Sequence, residues 1–234
     1  TGVFFNSLAS LMAAKIPCRE KGEVSKGKNI FVMFAESIKI RKRFIPLLLH
    51  WLYRCMFVLI GFIIPLLKRI IDFSQSMVFL YTIVITAAVI ITIYLSKPFV
   101  DRIGSKIVGD LASVIQGILL IIWGFVKPET PYFLIFILGF FFMSLKGILQ
   151  PFIGKLIIQS MPQKDKISYN SMLNFFSAVF TFTFGMIAGL AGDIGEKVLQ
   201  IKVCNPYFVI FFAGAFLSFL MTIISLFIKE NHGL

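Results

Sequence analysis

Six stretches of the chain are apolar almost without interruption, and short polar breaks separate them. They fall at 44–67, 75–96, 107–126, 131–157, 169–191 and 206–228, and charged residues interrupt one of them. About 20 apolar residues suffice for a helix to cross a ~30 Å hydrocarbon layer. Lipid offers backbone polar groups no partner, so each stretch is predicted to be a transmembrane helix. The expected fold is therefore all-α and integral to a membrane, with a six-helix bundle over 44–228.

The residues before the bundle read differently. Positions 1–16 are apolar but short for a span and carry no basic segment ahead of them, which argues against a signal peptide. They are expected to be the tail of a helix whose beginning lies outside this sequence, making the chain a fragment of a longer protein. Residues 17–43 form a cytoplasmic linker in this scheme. Its first part, 17–29, mixes Arg19, Glu20, Lys21, Glu23, Lys26 and Lys28 with Gly and Ser and has the composition of a solvated connector. Its second part sets Ile30, Phe31, Met33, Phe34 and Ile38 against Glu36, Lys39, Arg41, Lys42 and Arg43. That pattern suits a helix lying on the membrane surface, or a basic stop that ends the connector. Residues 229–234 are read as a cytoplasmic tail.

Composition supports the bilayer as solvent. Hydrophobic residues make up 58% of the chain and charged residues 15%, and the mean hydropathy is +0.92, whereas a soluble domain carries about 25% charged residues. The net charge of +12 does not point to nucleic acid, because the basic residues gather at the ends of the spans. Assigning alternate loops to one side places 16 of the 23 Lys and Arg there and five on the other, with Arg54 and Lys146 inside spans. The positive-inside rule then puts the linker, the 97–106 loop and the C-terminus in the cytoplasm of a plasma or inner cell membrane. Cys18, Cys55 and Cys204 lack metal-ligand spacing and suggest no disulfide framework.

The loop between the second and third spans reads Ser96-Lys97-Pro98-Phe99-Val100-Asp101-Arg102-Ile103-Gly104-Ser105-Lys106. It resembles the G-x-L-x-D-R-x-G-R-[RK] loop of the major facilitator superfamily, which recurs in degenerate form between helices 8 and 9. Lys97 stands where the leading Gly belongs, and Ser105 replaces the first basic residue of the closing pair. The D-R-x-G core, its place in a six-span set and the charged linker ahead of that set agree with the family. The resemblance implies a tail of helix 6, a central loop and helices 7–12, one half of a twelve-helix transporter whose N-terminal half is missing here. It also implies a cytoplasmic latch at Asp101, Arg102 and Gly104. In physical terms, Asp101 and Arg102 are expected in a tight turn closed by Gly104, just before a helix that starts near Lys106. A carboxylate there would favour the helix N-terminus by ~0.3–1 kcal/mol; the plain alternative is a solvated turn.

Charges within spans carry the candidate chemistry. Arg54 lies mid-span, with His50 one turn before it and Tyr53 beside it, and inserting an Arg at that depth costs at least ~2.5 kcal/mol unless it meets a polar cavity or a partner. Lys146 sits at similar depth, followed by Gln150 on the same face and by Gly147, Pro151 and Gly154, where the helix could break. No Asp or Glu lies at mid-depth in these spans. The two cations point to an anionic substrate or to carboxylates of the missing half. His50 is the only local candidate for a coupling proton. Asn170, Asn174, Ser177 and Thr181 recur at helical spacing, as a cavity-lining stripe or as interhelical hydrogen bonds. Thr82, Thr86 and Gln116 pose the same question more weakly. Gly185 and Gly189 form a G-x-x-x-G, a packing motif.

No phosphate loop, zinc motif, Cys/His cluster or nucleophile set is present in the sequence, so neither an enzyme nor a cofactor is expected. The reading is a secondary transporter that moves a small solute, anionic if the cations bind it, by alternating access and with coupling to a proton or ion left open. Arg54, Lys146, Gln150, His50 and Asn174 would line the substrate path. An anion-selective channel and a non-transporting receptor or scaffold of the same fold are the alternatives.

Overall fold

The computed structural model describes residues 29–197 and 205–228, without the side chains of Asp101 and of residues 195–197. The expectations for residues 1–28 and 229–234 lie outside the described residues. Every regular element among the described residues is helical: α1 Ile30–Lys39, α2 Arg41–Ile60, α3 Ile63–Arg69, α4 Gln75–Ile103, α5 Ser105–Gly124, α6 Tyr132–Ser160, α7 Lys166–Lys197 and α8 Phe208–Ser225. Six helices are long and apolar enough to cross a membrane, α2 and α3 together making the first of them. They coincide with the six predicted stretches, shifted by a few residues at their ends.

The joint between α2 and α3 has a local cause. Pro65 has no N–H to donate, and its ring collides with the carbonyl four residues earlier, that of Gly61. The chain answers at Gly61 and Phe62 with tight bonds to the carbonyls of Val58 (3.0 Å) and Leu59 (3.2 Å). At Pro151 the outcome is the reverse, because α6 continues through it. The break expected near Gly147, Pro151 and Gly154 does not form. Gly147 serves packing instead: a Cβ there would lie 2.8 Å from the Val89 carbonyl oxygen, so its absence lets α4 approach.

The helices pack in pairs that repeat. α2 contacts α6, α7 and α8, and α6 contacts α2, α4 and α5; α5 also packs on α8, α4 on α5 and α7 on α8. Exchanging α2 with α6, α4 with α7 and α5 with α8 maps α2–α6 and α5–α8 onto themselves and each other pairing onto another of the set; the contact of α3 with α4 has no such counterpart. The lengths follow the same exchange. The first three spans run 29, 29 and 20 residues (Arg41–Arg69, α4, α5) and the second three 29, 32 and 18 (α6, α7, α8). A shift of three spans reverses chain direction, so the second triplet is an inverted counterpart of the first. Where α5 and α8 cross, Ser113 Oγ donates to the Ser218 carbonyl and Ser218 Oγ donates to the Ser113 carbonyl, both at 2.7 Å. That reciprocal pair is what a twofold relation between the helices produces.

Between lipid-facing helices the hydrophobic effect adds little, so close packing and internal hydrogen bonds hold the bundle together. Glycines and aromatics mesh: a Cβ at Gly109 would overlap the Phe152 ring, one at Gly139 the Tyr81 ring and one at Gly117 the Phe219 ring. Trp123, Phe142 and Phe211 are fully buried with Leu47, Met56 and Leu120. Asn205 ties two helix ends together: its Nδ2 donates to the carbonyls of Trp123 (2.7 Å) and Val126 (3.2 Å), its Oδ1 accepts from the Tyr207 N–H (2.9 Å), and its own N–H reaches the Gly124 carbonyl (3.1 Å). α4 and α7, counterparts in the exchange, are the least covered. Only 11% and 17% of their most apolar stretches are buried, against 44% in α5 and α8.

Candidate functional site

The two intramembrane cations sit on the counterpart helices α2 and α6. Arg54 is 13 residues into the first span and Lys146 is 14 residues into the fourth, each of 29 residues. At 1.5 Å per residue both lie about 20 Å along helices about 43 Å long, so they share the middle depth. The helices bring them together, with Arg54 inside Coulombic range of Lys146, His50 and Tyr53. The Lys146 ammonium stands over the Phe57 ring, 4.6 Å from its centroid. Phe57 in turn packs on Tyr53 at 4.5 Å and 60°. The two rings are one turn apart on α2, and they give Lys146 a π face in place of a carboxylate.

Among the described residues no carboxylate is paired with either cation. Arg54 is exposed and Lys146 half-buried, and no Asp or Glu occupies the middle of any span. Two like charges held at mid-depth raise the cost of keeping both ionised, and an anion between them lowers it. His50 is half-buried, one turn before Arg54, and its Nε2 has no hydrogen-bond partner among the described residues.

No known family, curated protein or solved structure matches this chain.

The remaining sequence candidates divide. Gln150 is exposed one turn beyond Lys146, and Asn174 is exposed on α7; neither hydrogen-bonds to the cation pair among the described residues. The stripe on α7 does not hold as one surface. Asn170 and Asn174 are exposed, but Ser177 is buried and donates to the Leu173 carbonyl of its own helix at 2.6 Å. Thr82 and Thr86 likewise bond back to the carbonyls of Val78 and Thr82, both at 2.8 Å. Gln116 is fully buried on α5, with both amide atoms unpartnered among the described residues. In the G-x-x-x-G, Gly185 lies against Val58 of α2, while a Cβ at Gly189 would meet nothing within 4 Å.

At the loop end the expected turn is narrower than the sequence suggested. Asp101 and Arg102 belong to the last turn of α4, and Gly104 alone separates α4 from α5. Gly104 has φ 98° and ψ 142°, a conformation open essentially to glycine, so one residue makes the whole reversal and its neighbours can stay helical. The side chain of Asp101 lies outside the described residues, and Arg102 is exposed. Contacts at this end come from the residues just beyond. Lys106 Nζ donates to the Ile228 carbonyl (2.7 Å), Ser225 Oγ donates to Asp110 Oδ1, and Lys155 Nζ donates to Ser105 Oγ (3.1 Å). These ties, like the Phe57 contact and the Ser113–Ser218 pair, leave no signal in the sequence. They join residues 50 to 122 positions apart, and no local spacing announces them.

Proposed function

We propose that this chain is the C-terminal half of a major-facilitator-type secondary transporter, and that it carries a small organic anion by alternating access. The observation that carries the reading is the inverted three-plus-three arrangement of the spans. Nested repeats of this kind build each half of such transporters, with the solute site near the bilayer midplane at the repeat interface. The cations fit that place, since Arg54 and Lys146 lie on the exchanged pair α2 and α6 at mid-depth. The loop around Gly104 supports the reading through the resemblance of its D-R-x-G core. The basic ends then face the cytoplasm, and Arg54, Lys146 and His50 contribute one wall of the site. Gln150, one turn beyond Lys146 on α6, and Asn174 on α7 would line the path beside them.

The test is counterflow of radiolabelled organic anions in vesicles holding the full-length protein, comparing the wild type with Arg54→Ala and Lys146→Ala. Saturable exchange in the wild type, lost in both variants at unchanged protein level, is the expected result. Exchange that survives both substitutions would remove the cations from the solute site. Conductance without exchange would favour a channel.

A further inference from the structure

At the junction of α1 and α2 four of five consecutive residues are basic: Lys39, Arg41, Lys42 and Arg43, with only Ile40 between them. Ile40 is extended at φ −104° and ψ 104°, and this single residue turns the chain from α1 into α2. α1 does not float free at that corner. Met33 is fully buried, and Phe34 stacks on Phe176 of α7 at 4.0 Å and approaches Trp51 of α2 at 5.8 Å. The helix is thus fixed to the bundle by one face. Apolar groups beyond that contact remain exposed: Phe31 is 62% exposed although its ring meets Phe175 and Phe176 of α7 edge-on at 6.1 and 6.2 Å, Val32 is 51%, Ile38 42% and Ile40 41%.

The cations are held at the rim rather than scattered. The Arg41 guanidinium stands over the Phe227 ring beyond the end of α8, 5.7 Å from its centroid, and Arg43 acts electrostatically on Tyr169 near the start of α7. Lys39 and Lys42 are exposed. The start of α2 and the neighbouring ends of α7 and α8 therefore carry these cations beside exposed apolar side chains.

We propose that this corner is a binding site for anionic phospholipid, with the headgroup phosphate among Lys39, Arg41, Lys42 and Arg43 and the acyl chains against Phe31, Val32, Ile38 and Ile40. A basic cluster at the mouth of a span attracts anionic headgroups, and an amphipathic helix beside it lies in the interfacial layer. A free phosphate would meet the same cations, but it would leave the exposed apolar side chains uncovered, so the occupant assigned is the lipid. The inference stands whether or not the bundle carries a solute.

The experiment is native mass spectrometry of the full chain in a neutral detergent, offered equal amounts of phosphatidylglycerol and phosphatidylcholine. The wild type should retain phosphatidylglycerol preferentially, and the preference should fall in 1 M salt, where the screening length shrinks to about 3 Å. Each basic residue near such a surface contributes about fivefold, so the combined Lys39→Gln, Arg41→Gln, Lys42→Gln and Arg43→Gln variant should lose at least about tenfold. The milder Lys39→Gln, Lys42→Gln pair alters only exposed side chains and should lose an intermediate amount. Lys68→Gln with Lys127→Gln, at the other end of the bundle, should change nothing. Equal retention of the two lipids by the wild type, or full retention by the Lys39→Gln, Lys42→Gln variant, would overturn the proposal. Displacement of the lipid by an equal concentration of glycerol phosphate would do so as well, by assigning the site to free phosphate.

Discussion

The crossing of α2 with α6 and the crossing of α5 with α8 lie on the same exchange of spans, yet they treat polar groups in opposite ways. At α5 and α8 the hydroxyls that cross are satisfied, although the Gln116 amide on α5 finds no partner among the described residues. Ser113 and Ser218 bond reciprocally, and Ser225 donates to Asp110. At α2 and α6 two cations share the middle depth, with an aromatic ring for Lys146 and a His50 nitrogen that has no partner among the described residues. A satisfied polar contact in a membrane is a fastener, because opening it exposes groups to hydrocarbon. Like charges gathered without a counter-charge carry a cost that persists only where something else is gained. On the proposed reading, the first crossing is structural and the second serves the solute.

The largest expected effect tests the second assignment. Arg54→Ala should lower exchange of the anion by at least about a hundredfold, roughly 2.7 kcal/mol, while the thermal unfolding midpoint in detergent stays put or rises as the repulsion with Lys146 is relieved. A fall in the midpoint matching the loss of exchange would make Arg54 a fastener too, and the contrast would vanish. Next in size is Asn205→Ala, which removes three side-chain bonds at a buried position. Leaving those backbone groups unpaired should destabilise the bundle by about 2–3 kcal/mol, read as a lower unfolding midpoint. The KM for exchange in the protein that stays folded should not move.

The same contrast explains what the sequence discloses. The six spans are legible because a bilayer imposes one length and one polarity on each, and Arg54 and Lys146 stand out for the same reason. Which helix touches which is not written in any window of 20 residues. Pro65 and Pro151 are alike as letters, yet α2 ends before the first while α6 continues through the second. Gly147 reads as a helix breaker and proves to be a docking notch for α4. The polar stripe from Asn170 to Thr181 obeys helical spacing, but Ser177 turns to its own backbone. Period identifies a face; the neighbour decides what that face does.

Gly104 gives a smaller test, on the fastener side. Its φ of 98° is strained for any residue with a Cβ, so Gly104→Ala should cost about 1–3 kcal/mol. The cost should appear as a lower unfolding midpoint, and Arg102→Ala, at an exposed helical position, should leave the midpoint unchanged. A neutral Gly104→Ala would mean that the α4–α5 junction is not held in this conformation.

The smallest effect is also the most discriminating. Ser113 and Ser218 each donate to the other's carbonyl, so removing either hydroxyl breaks one bond and leaves the second in place. Interhelical hydrogen bonds in membranes average about 0.6 kcal/mol by double-mutant cycle, because groups in the unfolded state find other partners. Ser113→Ala and Ser218→Ala should each cost about that much, and nearly equally, since the twofold relation makes the two bonds alike. Both bonds cross the same pair of backbones, so losing one should loosen the other. The double variant should then cost less than the two single effects added together, with a coupling of about 0.5 kcal/mol. Strict additivity would mean that the two bonds act independently. Markedly unequal single effects would mean that α5 and α8 are not related as the span exchange requires, and the inverted-repeat argument would lose its most local support.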